Sequence, residues 1–118
     1  MIGIDLIKTD RMKRFMERFN DQGLRRFLCD AEITLVKNHK TAAGFWAAKE
    51  ACAKALGCGI GSECGFHDIL LSKTPKGAPR ITLSPRVKEG FGIIDASVSI
   101  THDGEYAISV VALERSDI

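Results

Sequence analysis

The segment that decides the fold is residues 41–56, which read TAAGFWAAKEACAKAL. Alanine, the residue with the highest helix propensity, recurs along this segment, and no proline interrupts it. Gly57 follows directly and suits the left-handed position at which many helices end. We therefore predict a helix over 41–56 that ends at Gly57.

The sequence before this helix predicts one strand and several helices. Residues 2–7 are apolar except for Asp5, as in a short buried strand. Thr9 or Asp10 can cap a following helix, whose apolar side chains share one face: Met12, Phe15, Met16 and Phe19. We expect Gly23 to end or kink that helix. Two short helices are predicted next, over 24–28 and, capped by Asp30, over 31–38.

The second half of the chain changes to strand patterns. Strands are predicted over 68–73 and 79–83, on either side of a turn that contains glycine and proline. A short helix is predicted over 84–91, with Ser84 as its cap and Pro85 at its first position. The β-branched runs 96–101 and 106–113 flank an Asp-Gly pair, which is a strong hairpin signal. Helices followed by strands predict an α+β fold.

Length and composition indicate one soluble domain over 1–118. The chain has 118 residues, of which 45% are hydrophobic and 27% charged, and this excludes a disordered protein. Its 17 basic and 15 acidic side chains give a net charge of +2, too small to indicate nucleic-acid binding by itself. No apolar run approaches the ~20 residues of a membrane span, and Asp5 and Lys8 interrupt any signal peptide. We expect a cytoplasmic protein.

The four cysteines are consistent with that location. Cys29, Cys52, Cys58 and Cys64 form no C-x-x-C pair, and their spacing matches no common zinc motif. We interpret them as reduced, buried thiols rather than as a zinc or redox site.

A glutamate and a lysine in the predicted helix are candidate functional groups. Glu50 and Lys54 lie four residues apart and therefore share one helix face. A surface ion pair is the simplest interpretation. However, the small side chains of Ala43 and Ala47 continue the same face, and a solvent-exposed face usually carries more charge.

Asp5 interrupts an otherwise apolar strand. Burying a carboxylate is costly unless it is paired or binds a metal, although an exposed strand end or a helix cap would also explain the residue. Asp5 and Glu50 together could hold Mg²⁺, which prefers one or two carboxylates completed by water and phosphate oxygens. The sequence alone leaves open whether the two side chains meet.

Two further features indicate contacts with anions or an acidic partner. His102 ends a predicted strand between Thr101 and Asp103, which permits an anion-binding cluster, although a turn histidine is usually only solvated. Basic residues outnumber acidic ones over 8–26, and three arginines follow i, i+3, i+7 spacing: Arg11, Arg14 and Arg18. Arginine suits bidentate contacts to carboxylate or phosphate, so this stripe predicts an acidic protein or nucleic-acid partner unless it is an ordinary solvated face.

Four segments together resemble the small bacterial 4′-phosphopantetheinyl transferases, the holo-[acyl-carrier-protein] synthase family. They are Gly3-Ile4-Asp5, the helix segment 45–55, Gly77-Ala78-Pro79, and Val98-Ser99-Ile100-Thr101-His102. Their order along the chain matches the family's order. The resemblance implies helices packed on a small, mainly antiparallel sheet. It also implies transfer of 4′-phosphopantetheine from coenzyme A to a serine of apo acyl carrier protein, with release of 3′,5′-ADP, for fatty acid biosynthesis.

The resemblance also implies roles for single residues. Asp5 and Glu50 would bind Mg²⁺, and Glu50, Lys54 and Asp5 would form the catalytic set. The residues expected to contact coenzyme A are Lys49, Lys54, Gly77, Pro79, Thr101 and His102. The residues expected to dock the acidic carrier protein are Arg11, Arg14, Arg18 and Arg26. The family is typically a homotrimer with active sites between subunits, and neither nucleic acid nor a membrane span is expected.

The segment from Arg26 to Glu32 resembles a further family motif with one departure. Cys29 stands where the family has a hydroxyl residue, which weakens the expected helix cap unless Asp30 takes it over. Two other function classes compete with the transferase, a small basic nucleic-acid-binding module and a non-catalytic scaffold of the same fold. Neither explains why Asp5, Glu50 and Lys54 are all present.

Overall fold

A computed structural model describes residues 1–116 as one strand, three helices, a hairpin, a fourth helix and a second hairpin. The strands are β1 (Ile2–Lys8), β2 (Ile69–Lys73), β3 (Pro79–Leu83), β4 (Ile93–Asp103) and β5 (Tyr106–Arg115). The helices are α1 (Thr9–Arg25), α2 (Asp30–Ile33), α3 (His39–Leu56) and α4 (Pro85–Phe91), with a single 3₁₀ turn at Phe66–Asp68.

All strand pairs are antiparallel, and they form two sheets. The larger sheet has the order β1-β5-β4, and β2 pairs with β3 in a separate two-stranded sheet. The predicted α+β class with helices on a small antiparallel sheet is therefore confirmed. None of the helices described in residues 1–116 is long and apolar enough to cross a membrane.

Helix α3 packs directly on the larger sheet, and glycine permits the close approach. A Cβ atom on Gly3 would lie within 1.9 Å of the carbonyl oxygen of Ala51, so only glycine fits this position in β1. Ala43 and Ala47 are fully buried. The small side chains that continue the face of Glu50 and Lys54 are therefore part of the packed core. The helix begins after Asn38, whose side chain accepts two backbone N–H bonds, and ends at Gly57 with φ of 82°.

Helix α1 departs from the sequence-based expectation. It begins at Thr9, continues through Gly23 and ends at Arg25, and its kink lies at Asn20 with φ of 53°. Gly23 is needed for another reason, because a Cβ atom there would lie 2.7 Å from the Cβ of Phe19. The helix predicted over 24–28 was wrong, since only its first two residues are helical, as the end of α1.

The helix predicted over 31–38 is a single turn, α2, and Cys29 occupies its N-cap position. The Glu32 carboxylate accepts a 2.8 Å hydrogen bond from the Cys29 backbone N–H. This bond secures the start of α2 in the absence of a hydroxyl side chain at position 29. Asp30 is the first helical residue and does not act as the cap.

Candidate active site

Asp5 lies in the middle of β1, opposite Ser109 of β5. It shares a sheet face with Gly3, which contacts α3, because side chains alternate along a strand. The Lys54 Nζ atom, on α3, donates hydrogen bonds to Asp5 Oδ1 at 2.8 Å and to the Ile4 carbonyl at 3.2 Å. The Asp5 side chain is only 15% exposed, so this pairing satisfies a carboxylate that would be costly to bury alone.

Glu50 lies one turn before Lys54 and is half-buried. Burial raises the pKa of the Glu50 carboxyl, the negative charge of Asp5 raises it further, and Lys54 opposes the shift. Because Glu50 lies four residues before Lys54 in α3, the two side chains share one helix face, and Lys54 itself is hydrogen-bonded to Asp5. The structure therefore brings Asp5, Glu50 and Lys54 together, as the resemblance implied.

The carboxylate pair fits the way proteins hold Mg²⁺. Residues 1–116 contain no group of three or more His, Cys, Asp or Glu side chains that could hold a metal ion without a substrate. Mg²⁺ rarely uses such a cage and is commonly held by one or two carboxylates together with substrate phosphates. Asp5 and Glu50 supply this donor set, beside a lysine that can contact a phosphate.

His102 lies on the same sheet, where its partner in β5 is Ala107. Its Nε2 atom is 2.8 Å from the Lys40 carbonyl, so Nε2 carries a proton and donates to the first turn of α3. A Cβ atom on Gly44 would lie 3.3 Å from this Nε2 atom, so glycine allows the imidazole to approach the helix. Thr101 precedes His102 and therefore points to the opposite sheet face, where it is exposed.

The structure does not bring Lys49 to the site. Lys49 is fully buried, and its Nζ atom donates to Glu32 Oε1 at 2.9 Å and to the Phe66 carbonyl at 3.0 Å. Burial lowers the pKa of the Lys49 ammonium, against the opposing effect of Glu32. The expected contact between Lys49 and coenzyme A is replaced by a structural ion pair.

Gly77 and Pro79 lie at the β2–β3 hairpin, on the smaller sheet. Gly77 has φ of 87° and donates its N–H to the Thr74 carbonyl, so the tight turn requires it. Pro79 and Arg80 line a groove of about 440 Å³ between β3 and β4. Asp5, Glu50 and Lys54 lie outside this groove. Gly77 and Pro79, which are expected to contact coenzyme A, therefore lie apart from Asp5 and Glu50 within this chain.

The arginines of α1, together with Arg26 directly after it, form an exposed surface that includes two partly buried aromatic rings. The Arg26 guanidinium lies 4.3 Å from the centre of the Phe19 ring and 5.8 Å from that of Phe15. The Arg18 guanidinium is 5.0 Å from the Phe19 ring. Arg11 and Arg14 are exposed earlier on the helix, where Arg14 pairs with Asp10 at 2.6 Å. Stacking holds Arg18 and Arg26 in place while leaving their charges exposed.

All four cysteines are free thiols, as predicted. Cys52 and Cys64 are fully buried, and burial raises the pKa of Cys52 to about 12 and that of Cys64 to about 11. Cys29 and Cys58 are only partly buried, so the expectation that every thiol is buried was wrong for these two. The buried thiols are unreactive because the thiolate, the nucleophilic form, is suppressed.

Comparison with known proteins identifies the family. The sequence profile of the 4′-phosphopantetheinyl transferase superfamily matches residues 1–111. The chain is 61% identical over 116 residues to the holo-[acyl-carrier-protein] synthase of Sulfurimonas denitrificans, covering 98% of this chain and 96% of that protein. It is 57% identical over 115 residues to the synthase of Wolinella succinogenes, covering 98% of both chains. The crystal structure of Helicobacter pylori holo-[acyl-carrier-protein] synthase in complex with coenzyme A matches with a TM-score of 0.94 and 47% identity, covering 97% of this chain and 100% of that one. This chain therefore belongs to the 4′-phosphopantetheinyl transferase superfamily.

Proposed function

We propose that residues 1–118 act as one phosphopantetheinyl transferase domain that modifies apo acyl carrier protein with coenzyme A. The observation that carries the proposal is the meeting of Asp5, Glu50 and Lys54 between β1 and α3, which the sequence could not establish. The serine oxygen of the carrier protein attacks the β-phosphorus of coenzyme A. The serine hydroxyl loses its proton as a new bond forms between its oxygen and the β-phosphorus. The bond between the β-phosphorus and the bridging oxygen of the diphosphate breaks, and 3′,5′-ADP leaves with that oxygen.

Asp5 and Glu50 are the residues that would hold Mg²⁺. When bound, Mg²⁺ neutralises the charge that develops on the diphosphate oxygens during transfer. Lys54 adds a further positive charge beside the same site. Phosphoryl transfer is catalysed mainly by such positioning and electrostatic stabilisation, so these three side chains meet its main requirements.

Glu50 is the first candidate to accept the serine proton, directly or through a water molecule, and Asp5 is the second. Burial and the Asp5 charge raise the pKa of Glu50. A carboxylate with a raised pKa is a stronger base than an ordinary glutamate. Asp5 Oδ1 already accepts a hydrogen bond from Lys54, so it is less available to receive the serine proton.

Coenzyme A would be contacted by Lys54, by the turn residues Gly77 and Pro79, and by Thr101 and His102. Lys54 lies beside Asp5 and Glu50, whereas Gly77 and Pro79 lie on the smaller sheet of the same chain. A site shared between subunits would bring such separate elements together. Helicobacter pylori holo-[acyl-carrier-protein] synthase was crystallised in complex with coenzyme A, which supports the same ligand for this chain.

The outer face of the larger sheet supports the predicted homotrimer. Ile2, Ile4 and Leu6 alternate with the residues that face α3, and they are 74%, 58% and 54% exposed. Val110, the partner of Ile4 in β5, is 38% exposed beside them. A contiguous apolar patch of this kind usually marks an interaction surface, and a second copy of the chain would cover it.

The carrier protein would dock on α1 and the residue that follows it, through Arg11, Arg14, Arg18 and Arg26. These side chains are exposed, and two of them stack on aromatic rings that can add apolar contact. The relatives at 61% and 57% identity are named for activity on acyl carrier protein. Fatty acid biosynthesis as the pathway and the cytoplasm as the location follow from that function and remain part of the proposal.

Mass spectrometry of apo acyl carrier protein tests the function directly. After incubation with this protein, coenzyme A and Mg²⁺, the carrier should gain the mass of one phosphopantetheine group. Asp5→Ala and Glu50→Ala should each lower the rate about 10²–10³-fold, because each leaves diphosphate charge unneutralised. Glu89→Ala, which removes an exposed carboxylate from α4, is the control and should keep its rate. Near-normal transfer by both site variants would exclude the proposed metal site.

A further inference from the structure

The Lys54 ammonium donates a hydrogen bond to Asp5, the carboxylate that the proposed function assigns to a metal ion. Its Nζ atom lies 2.8 Å from Asp5 Oδ1 and 3.2 Å from the Ile4 carbonyl. This oxygen therefore has a positively charged partner within the chain itself. A divalent cation that binds the same oxygen must either displace the ammonium or lie beside it against strong repulsion.

The Lys54 side chain can move away from Asp5, whereas Asp5 is held in place by its paired strand. The Lys54 side chain is 53% exposed, and the Asp5 side chain is 15% exposed and belongs to a strand paired along its whole length. An ammonium group has three donors on a flexible stem and can rotate towards another acceptor. The diphosphate of coenzyme A would supply negatively charged oxygens beside Asp5, and these compete for the same ammonium.

We propose that Lys54 acts as a gate on Asp5, which keeps the metal site closed until a diphosphate draws the ammonium away. Metal and coenzyme A then bind with positive coupling, because each removes an obstacle to the other. Thermodynamic reciprocity requires that coenzyme A strengthens metal binding by the same factor as the metal strengthens coenzyme A binding. Lys54 is a positioning residue in this respect, in addition to its contact with the substrate. The inference rests on the proposed function.

Metal affinity measured without turnover tests the gate. Mn²⁺ serves as the probe, since the electron paramagnetic resonance signal of free Mn²⁺ gives its Kd with and without coenzyme A. In the absence of coenzyme A, Lys54→Met should bind Mn²⁺ roughly three- to tenfold more tightly than the natural protein, because the competing charge is gone. The strengthening of Mn²⁺ binding by coenzyme A should shrink in the same variant.

Two further variants separate the gate from general charge effects. Lys54→Arg keeps a cation at the position and should retain weak Mn²⁺ binding without coenzyme A. Lys40→Met removes the same charge from the first turn of α3, about 21 Å from Lys54 along the helix axis. This variant should leave the Mn²⁺ affinity unchanged. Far-UV circular dichroism confirms that each variant is folded, and Lys54→Gln replaces Lys54→Met if the latter is not.

Two outcomes would overturn the gate. One is a Lys54→Met affinity for Mn²⁺ that equals or falls below that of the natural protein without coenzyme A. The other is an equal gain in Lys40→Met. The natural protein is assayed in parallel for transfer to apo acyl carrier protein. If it transfers while either outcome holds, only the gate is refuted, whereas a protein without transfer activity refutes the proposed function itself.

Discussion

The buried ion pair between Glu32 and Lys49 gives a sharp prediction about stability. Glu32 is 1% exposed and Lys49 is 0% exposed. The glutamate accepts from the Cys29 N–H and Lys49 Nζ through Oε1, and from the Leu71 N–H through Oε2. The pair therefore joins α2, α3 and β2 through one carboxylate. We predict that removing either charge strongly destabilises the fold.

The structure sets the size of the effect. Lys49→Met leaves the Glu32 carboxylate buried with two neutral N–H donors, and Glu32→Gln leaves the ammonium buried without a counterion. Breaking a buried pair in this way costs about 3–5 kcal/mol, a large share of the ~5–15 kcal/mol by which domains are stable. The double variant removes both charges. It should therefore be less destabilised than the sum of the single variants, by about 1–3 kcal/mol.

Urea unfolding monitored by far-UV circular dichroism measures these differences. The protein concentration must be held constant, because the stability of an oligomer depends on it. Arg14→Met is the control, since it breaks the Arg14–Asp10 pair, whose side chains are 69% and 59% exposed. That variant should lose less than about 1 kcal/mol. If Lys49→Met lost no more stability than Arg14→Met, the reasoning about the buried pair would be refuted.

Two more predictions concern the carrier surface and acid stability. Arg14→Glu and Arg18→Glu should raise the KM for acyl carrier protein but not the KM for coenzyme A. The effect should be strongest at low salt, because complementary charges steer association there. Steady-state kinetics at two salt concentrations measures both KM values, and an unchanged KM for the carrier protein at low salt would contradict the prediction. Burial acts to raise the pKa of Asp68, but hydrogen bonds from the Gly65 N–H, Ser84 and Arg86 outweigh it, so the net effect is a lowered pKa. The stability that this carboxylate contributes is present above its unfolded pKa of 3.8 and is lost as the pH falls through the lower folded pKa. Asp68→Asn removes the titrating group. In urea unfolding, this variant should therefore lose less stability than the natural protein when the pH is lowered from neutral to acidic.

Features that depend on neighbouring residues in sequence could be predicted well. The helix over 41–56 was expected from alanine content and from Gly57, and α3 ends at that position. The Asp-Gly turn placed the β4–β5 hairpin correctly. In both cases a local propensity and the packed structure favour the same conformation, so no tertiary contact needed to be known.

Features that depend on distant contacts could not be read in the same way. The kink of α1 falls at Asn20, which adopts a positive φ that favours glycine, and the nearby Gly23 was the more obvious candidate. Gly23 is instead required by the Phe19 side chain, a contact that exists only once the chain has turned at Asn20. Similarly, the meeting of Asp5 and Glu50 depends on the packing of β1 against α3, which Gly3 permits.

Lys49 and Lys54 show how much of the site could be predicted from helical spacing alone. Lys54 follows Glu50 by four residues, so the two share a face, whereas Lys49 is rotated by about 100° from Glu50. Lys49 instead lies four residues after Phe45 and three before Cys52, both of which are buried. The spacing therefore placed Lys49 on the core face, but a lysine is almost never fully buried without a partner, and Glu32 lies on a different helix. The helical pattern could separate the two lysines by face, and only the tertiary structure could show which carboxylate each of them pairs with.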